Sequence, residues 1–333
     1  MTIYDRGAKM ASNSSRPPEE IVFHRYFQKL RLDLRRRFRG KQDLEDPKME
    51  PGLSSLLANI QDVFNKDLQQ QNPSFYFDYI ESSETNALAF ADEGYIFVAI
   101  TMPLIRKLWH ISEQLSYEQA VREILKVEPG IPEPWAIQAF LFATQLSFVI
   151  AHEFAHHKRG HLPSPLELHL ELSHQTGSIK LQAQEVDADG LATYMVLSHL
   201  ITGFRRDHSR ALLTLNFTES ELDEILLCSF VISVATVFAI FPAVVFDQHT
   251  LFRLAYPPQA IRMDRLMLNA MTWCNQNRPA LGSVIKPEWF RRILFASLQN
   301  AADDWSGQVL RLPLNEVYFS QLNAELVQLL ERK

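Results

Sequence analysis

A mostly apolar run from Trp135 to His161 predicts one long helix, and its C-terminal part carries the motif His152-Glu153-Phe154-Ala155-His156. Two residues four positions apart lie on the same helical face, so both imidazoles can point at a single ion. The helix is apolar from Ala139 to Ala151 and polar beyond the motif, which places the histidines where a buried stem meets a polar end.

Zinc suits this pair of histidines, because it binds neutral imidazole nitrogen and accepts a tetrahedral site with one open position. Glu153 is rotated about 100° around the helix from His152. It therefore lies outside the ligand set but within reach of a metal-bound water, where a general base is needed. The bare motif also occurs in helices whose histidines are only buried and hydrogen-bonded, so other residues must support a metal site.

A third ligand is offered by Glu185, in the segment Glu185-Val-Asp187-Ala-Asp189 on a second predicted helix over about 178–200. Glu185 can complete a catalytic zinc site of two histidines and one glutamate. Asp189 lies four residues later on the same helical face. Its carboxylate can accept the free N–H of a ligand histidine and so fix the orientation of the ring.

Other ligand choices fit less well. His161 comes one position too early for the third histidine of the extended pattern HExxHxxGxxH, and Arg159 occupies the glycine position of that pattern. A group of acidic and histidine residues follows a Pro-Ser-Pro segment and is typical of a solvated helix face: Glu167, His169, Glu171 and His174. Proximity in sequence alone is weak evidence for a ligand.

The strongest β-signals lie in the N-terminal half of the chain. Ser74–Ile80 is rich in aromatic residues, and residues 86–101 form two apolar runs around Asp92-Glu93-Gly94, which predicts a hairpin. Further helices are predicted over about 53–69, 102–114 and 117–127, before a Pro-rich loop. The predicted fold class is α+β and mostly helical, with a small antiparallel sheet ahead of the helices.

We expect four regions: a flexible segment 1–20, a helical region 21–71, a central domain 72–270, and a C-terminal helical region 271–333 that packs on it. The second region contains a basic cluster of Arg31, Arg35, Arg36, Arg37, Arg39 and Lys41. This cluster is either a solvated helix end or a contact for an acidic partner, nucleic acid or anionic lipid. The net charge of −6 gives the whole protein no electrostatic reason to hold nucleic acid, so no nucleic acid is expected as a partner.

The uncharged segment Ile225–Phe246 is long enough to span a bilayer, and it also fits a helix buried on all sides. Acidic residues on both sides give no positive-inside asymmetry, so a buried helix is favoured and membrane contact is not. The polar N-terminus has no apolar signal region. Cys228 and Cys274 are far apart in apolar surroundings, which fits a reducing compartment and predicts a cytoplasmic location.

Four segments together resemble the gluzincin zinc peptidases, typified by HtpX and the CAAX prenyl proteases. HEFAHHKRGH at 152–161 is similar to the HELGH-x4-H motif of that group, and EVDADGLA at 185–192 to its ExxAD segment. NALAFADEGYIFVAITMPLI at 86–105 resembles its Asn-Ala strand and hairpin, and YPPQAIR at 256–262 its HPxxxxR segment. The chain also resembles HExxH peptidases related to the phage-exclusion protein Lit, in size and in the lack of membrane helices.

The gluzincin resemblance implies a zincin-like catalytic domain with Zn2+ held by His152, His156 and Glu185. It also implies an edge strand beside the cleft, at which Asn86 and Ala87 bind a protein or peptide substrate. Tyr256 stands where the group has a histidine, so it is either a donor to the oxyanion or the start of a Pro-Pro turn. The role of Arg262 is open between binding a carboxylate of the cleft, binding substrate, and pairing with Asp264 or another surface acid.

The sequence therefore predicts a zinc-dependent endopeptidase in which Glu153 acts as the general base. Two alternatives stay open. One is a catalytically silent, zinc-stabilised regulatory or interaction protein, which the tyrosine at position 256 and the basic cluster suggest. The other is a membrane-embedded protease of the same group that uses Ile225–Phe246 as a span.

Overall fold

A computed structural model describes residues 18–29, 51–68, 75–80, 82, 84–127, 133–162, 177–203, 217–240, 251–254, 256–297 and 316–331. The basic cluster at 31–41, the acidic and histidine residues at 167–174 and most of the segment 1–20 lie outside these residues. The division of the chain into four regions stays a prediction.

The helices in the described residues are α1 (Pro18–Lys29), α2 (Pro51–Leu68), α3 (Met102–Tyr117), α4 (Gln119–Ile124), α5 (Pro134–Lys158), α6 (Ile179–Leu197), α7 (Glu219–Ile240), α8 (Gln259–Asn277), α9 (Pro279–Val284), α10 (Pro287–Ser297) and α11 (Glu316–Glu331). The strands are β1 (Phe75–Ile80), β2 (Ala87–Asp92) and β3 (Tyr95–Thr101). The described residues are mostly helical with one small sheet, as predicted.

The sheet has the order β1-β3-β2 and is mixed, so the prediction of an antiparallel sheet is wrong for β1. β2 and β3 are antiparallel, because a two-residue turn joins them with positive φ at both Glu93 (49°) and Gly94 (83°). β1 instead pairs with the far side of β3, to which it is parallel. β1 is buried along its whole length, so its sequence carries no alternation that would fix the direction of pairing.

In the part of the chain that the structure describes, α2 rather than another strand covers the open edge of β1. The backbone N–H of Phe77 donates to Asn65 Oδ1 at 2.7 Å, and Asn65 Nδ2 donates to the carbonyl of Phe77 at 3.0 Å. The Asn65 amide thus takes the place of a neighbouring strand. β2 forms the other edge of the sheet within the described residues, and it packs against α5.

The core is built around α5 and α7, which pack on each other and on α3. Both helices are long and apolar enough to cross a membrane, but 83% of the most apolar window of each is buried inside the protein. Their polar side chains are paired within the core: Gln145 accepts from Ser112 Oγ and donates to Thr236 Oγ1, each at 2.8 Å. This is the burial and the polar pairing that a core helix requires.

Asp78 is a buried carboxyl group in β1, beside α2. It accepts hydrogen bonds from the Gln61 side chain at 2.9 Å, the Tyr76 hydroxyl at 3.0 Å and the Tyr79 backbone N–H at 2.7 Å. Burial nevertheless raises the pKa of Asp78 to about 7. Since this value lies above the pKa of the unfolded chain, the folded protein holds the proton from about pH 4 to pH 7. The free energy of unfolding therefore falls as the pH rises through this window.

We expect Asp78→Asn to be more stable than the wild type at pH 8, by up to about 4 kcal/mol, because a neutral amide avoids the cost of a buried charge. At about pH 4 the advantage should vanish. Thermal unfolding of both proteins across this range checks the prediction, with Asp264→Asn on the exposed face of α8 as a control. A stability difference between wild type and Asp78→Asn that does not change with pH would contradict it.

Candidate metal centre

The two motif histidines lie on one face of α5, near its C-terminal end. His152 is buried and His156 is partly buried. Their Nε2 atoms are 3.1 Å apart, as expected for residues one helical turn apart. α5 ends at Lys158, and Gly160, two residues later, has the positive φ of 69° that is typical of a helix C-terminus.

Glu185 on α6 faces both histidines. Its Oε2 lies 3.3 Å from His152 Nε2, and its Oε1 lies 3.3 Å from His156 Nε2. In the described part of the chain, His152, His156 and Glu185 form the group of three side chains that could hold a metal ion. Their ligand atoms lie within 4.8 Å of one another. Atoms bound to one zinc at about 2.0–2.2 Å lie about 3.3–3.6 Å apart at tetrahedral angles, so the donor set fits this ion.

Asp189 lies behind His152, as its spacing predicts. Its Oδ1 is 2.9 Å from His152 Nδ1, which leaves Nε2 of the same ring directed at Glu185. The contact has the distance of an ion pair without the geometry of a hydrogen bond. A carboxylate in this position can fix the tautomer and the orientation of a ligand histidine when it accepts the ring N–H. Asp189 is fully buried, so its charge needs a second partner.

Arg262 on α8 is that partner. Its Nε donates to Asp189 Oδ2 at 2.8 Å and its Nη2 to Oδ1 at 2.7 Å, so the two planar groups pair through two parallel bonds. The guanidinium also stacks on the ring of Phe238, 4.2 Å from its centroid. Of the roles that the sequence left open for Arg262, the geometry corresponds to binding a carboxylate of the cleft.

The buried charges favour a cation at the centre. Burial would raise the pKa of Glu185, but the His156 and His152 imidazoles outweigh it and hold the pKa well below its usual range. For His152 the directions are reversed. Burial alone would lower the pKa of this imidazole, but Asp189 and Glu185 outweigh burial and raise the pKa to about 10. The carboxylates of Glu185 and Asp189 therefore stabilise positive charge at the histidines, which protons or a metal ion can supply.

Glu153 lies beside the ligand set without belonging to it. Burial raises the pKa of Glu153, and the neighbouring His152 and His156 oppose this rise. A glutamate with a raised pKa is a better proton acceptor than an exposed one, which suits a general base. The position on α5 matches the expectation from helical geometry.

The three remaining predicted residues, Tyr256, Asn86 and Ala87, are not among the side chains whose ligand atoms converge. Tyr256 precedes α8 and is 55% exposed. Burial lowers the pKa of the nearby Arg262 guanidinium, but Asp189 outweighs burial and raises it, with smaller contributions from Glu185 and Tyr256. Asn86 precedes β2, where its backbone N–H donates to Thr101 Oγ1 at 2.9 Å and its carbonyl accepts from the Thr101 N–H at 3.0 Å. Ala87 begins the edge strand itself, so both residues fix the start of β2 to β3.

A group that the sequence reasoning missed joins α5 and α6 next to His156. Asp187 Oδ2 lies 3.4 Å from both His161 Nε2 and Arg159 Nε, and the backbone N–H of His161 donates to the His156 carbonyl at 2.8 Å. His161 is the last histidine of the segment that resembles HELGH-x4-H, and it does not fit the ligand pattern HExxHxxGxxH, so neither motif predicts its contact with Asp187. The sequence does offer one indication of this group. Asp187 lies between Glu185 and Asp189 but is not needed in the metal site, so a buried carboxylate there requires another partner.

Residues 127–275 match the family model described as Peptidase U49. The matched region is less than half of the chain, and it contains α5, α6 and α7 and most of α8, so it includes every proposed metal ligand. No curated protein and no solved structure matches the chain. The match supports a peptidase family of the Lit-like kind and hence a proteolytic function, and it does not single out the HtpX and CAAX group.

Proposed function

We propose that the chain is a zinc-dependent endopeptidase, with His152, His156 and Glu185 as metal ligands and Glu153 as the general base. The observation that carries this proposal is the convergence of ligand atoms from α5 and α6, all within 4.8 Å of one another. The match of residues 127–275 to a peptidase family supports peptide-bond hydrolysis independently of this geometry.

A zinc ion in this site would supply an acidified water and would polarise the scissile carbonyl. Glu153 accepts the proton of the attacking water and delivers it to the leaving amine. Asp189 holds His152 in the orientation that keeps Nε2 free for the metal, and Arg262 keeps Asp189 ionised. Tyr256 is the proposed donor to the oxyanion, a role that a phenol hydroxyl can perform.

The proposed substrate is an extended stretch of polypeptide lying along β2. Within the described residues, Asn65 of α2 hydrogen-bonds the β1 edge of the sheet. The opposite edge is β2, the strand that lies next to the metal-binding helix α5. An added strand at β2 would bind through backbone hydrogen bonds, which are independent of sequence, while side-chain pockets would supply selectivity. A cytoplasmic protein substrate fits the proposed location of the enzyme.

The test is proteomic mapping of new N-termini after zinc-loaded protein is incubated with a cell lysate. We expect new N-termini that disappear when phenanthroline removes the zinc and return when zinc is added back, because the reaction needs the metal. Cleavage that persists after metal removal would exclude the zinc mechanism. A zinc-replete protein that produces no new N-termini would instead support the catalytically silent regulatory protein.

A further inference from the structure

Gln182 is a buried amide on α6 that belongs neither to the ligand set nor to the apolar core. Its side chain is fully buried and lies one turn before Glu185. The residues Gln182, Glu185 and Asp189 follow the i, i+3, i+7 spacing of a single helical face. One stripe of α6 therefore carries this amide, the proposed third metal ligand and the carboxylate behind His152.

The Gln182 amide joins three separate parts of the chain. Its Nε2 donates to the carbonyls of Leu251 at 2.9 Å and Leu254 at 3.0 Å, in the segment that leads to α8. Its Oε1 accepts from the hydroxyl of Tyr318 on α11 at 2.5 Å. Because a buried amide is costly unless it is hydrogen-bonded, these three bonds fix the relative positions of α6, α11 and residues 251–254.

Apolar packing encloses the same junction. Tyr318 and Leu322 of α11 pack with Leu251, with Ala183 of α6 and with Ile261 in the first turn of α8. All five residues are buried. The first turn of α8 therefore rests on the junction that Gln182 and Tyr318 form, one residue before Arg262.

This junction is connected to the metal centre through Arg262. The guanidinium makes two hydrogen bonds to Asp189, and Asp189 lies 2.9 Å from His152 Nδ1. A shift of the first turn of α8 would lengthen the bonds to Asp189 and free the imidazole to rotate. Outer partners of this kind commonly change metal affinity by about 10–100-fold when they are removed.

We propose that Tyr318 and Gln182 are positioning residues for the metal centre: they hold the start of α8 against α6, so that Arg262 orients Asp189 and His152. This inference rests on the proposed zinc site. It assigns a role to α11, which lies outside the region that matches the peptidase family. The C-terminal helix is then part of the catalytic unit.

The experiment compares full-length Tyr318→Phe and Gln182→Met with Asn323→Ala. Asn323 is a matched control, because it also ties α11 to α8, by accepting from Arg265 Nη2 at 2.6 Å, but it does not contact α6 through that bond. Zinc affinity is measured by competition with a chelator, well below the melting temperature of the least stable variant. Hydrogen exchange of the segment 251–262 is measured on the same metal-free proteins.

We expect Tyr318→Phe to weaken zinc binding about tenfold and Gln182→Met to weaken it further, while Asn323→Ala stays close to the wild type. Exchange in 251–262 should be faster in the first two variants only. Unchanged zinc affinity in these variants would overturn the inference, and so would unchanged exchange in 251–262. A lower melting temperature with either result would mean that the junction stabilises the fold without positioning the metal centre.

Failure of the proposed function gives a different result. Wild-type protein that binds zinc but cleaves no protein would remove the peptidase proposal and leave the positioning role intact. Wild-type protein that binds no zinc would overturn both the peptidase proposal and the positioning role. The exchange data would then show only whether Gln182 and Tyr318 hold the segment 251–262 in place.

Discussion

Glu153→Gln is expected to bind zinc as the wild type does and to lose about 10²–10⁴-fold in kcat, because the amide cannot accept the proton of the attacking water. Glu153 is not one of the three residues whose ligand atoms converge, so the metal site should be preserved. The substitution also removes an ionisable group from a partly buried position, and burial raises the pKa of this carboxyl. The folded state should therefore not be destabilised by the change.

Three measurements together check this prediction: zinc content by elemental analysis, melting temperature, and peptide-bond cleavage by N-terminal mapping. The control is Glu113→Gln, the same chemical change at a half-exposed position on α3, outside the proposed ligand set. It should leave all three unchanged. Full cleavage by Glu153→Gln would eliminate this residue as the base, and loss of zinc would mean that Glu153 supports the metal rather than the proton transfer.

Glu185→Ala is expected to weaken zinc binding more than about 100-fold, beyond the effect of removing an outer partner. The substitution leaves two histidines as ligands and removes the carboxylate that lies 3.3 Å from each of them. It should also abolish cleavage at zinc concentrations that saturate the wild type. In the metal-free protein the pKa of His152 should fall, because Glu185 is one of the two acids that raise it.

Gln184→Ala is the control for this change, since it truncates the neighbouring, partly buried residue of α6 outside the proposed ligand set. Competition with a chelator gives the two zinc affinities, and circular dichroism shows whether α6 is retained. Undiminished zinc binding by Glu185→Ala would remove Glu185 from the ligand set. Equal losses in both variants would indicate damage to the helix rather than removal of a ligand.

The elements that local sequence determines were predictable. The hairpin of β2 and β3 follows from two apolar runs around Asp92-Glu93-Gly94, and the structure has its turn at Glu93 and Gly94. α5 follows from its length and apolar composition, and the spacing of His152 and His156 alone places both rings on one face. These features depend on residues within a few turns of each other.

The direction of β1 and the partners of the charged residues were not predictable from spacing. β1 is buried on both faces, and its pairing with β3 depends on where α2 covers its other edge. The sequence left Arg262 with several possible partners, because an arginine on a predicted helix can pair with any acid that folding brings near it. The role of Tyr318 was invisible, since no motif marks a buried tyrosine that bonds an amide 136 positions away.

Local sequence is enough to show which chemical groups are available and which of them share a helical face, because helical periodicity is a local property of the backbone. It thereby fixed the histidine pair, the adjacent Glu153, and the common face of Glu185 and Asp189. The meeting of these two faces, the pairing of Arg262 with Asp189 and the contact of α11 with α6 depend on how the whole chain packs. Such contacts join distant parts of the chain, and they form because buried charges and amides must find partners once the apolar helices pack together.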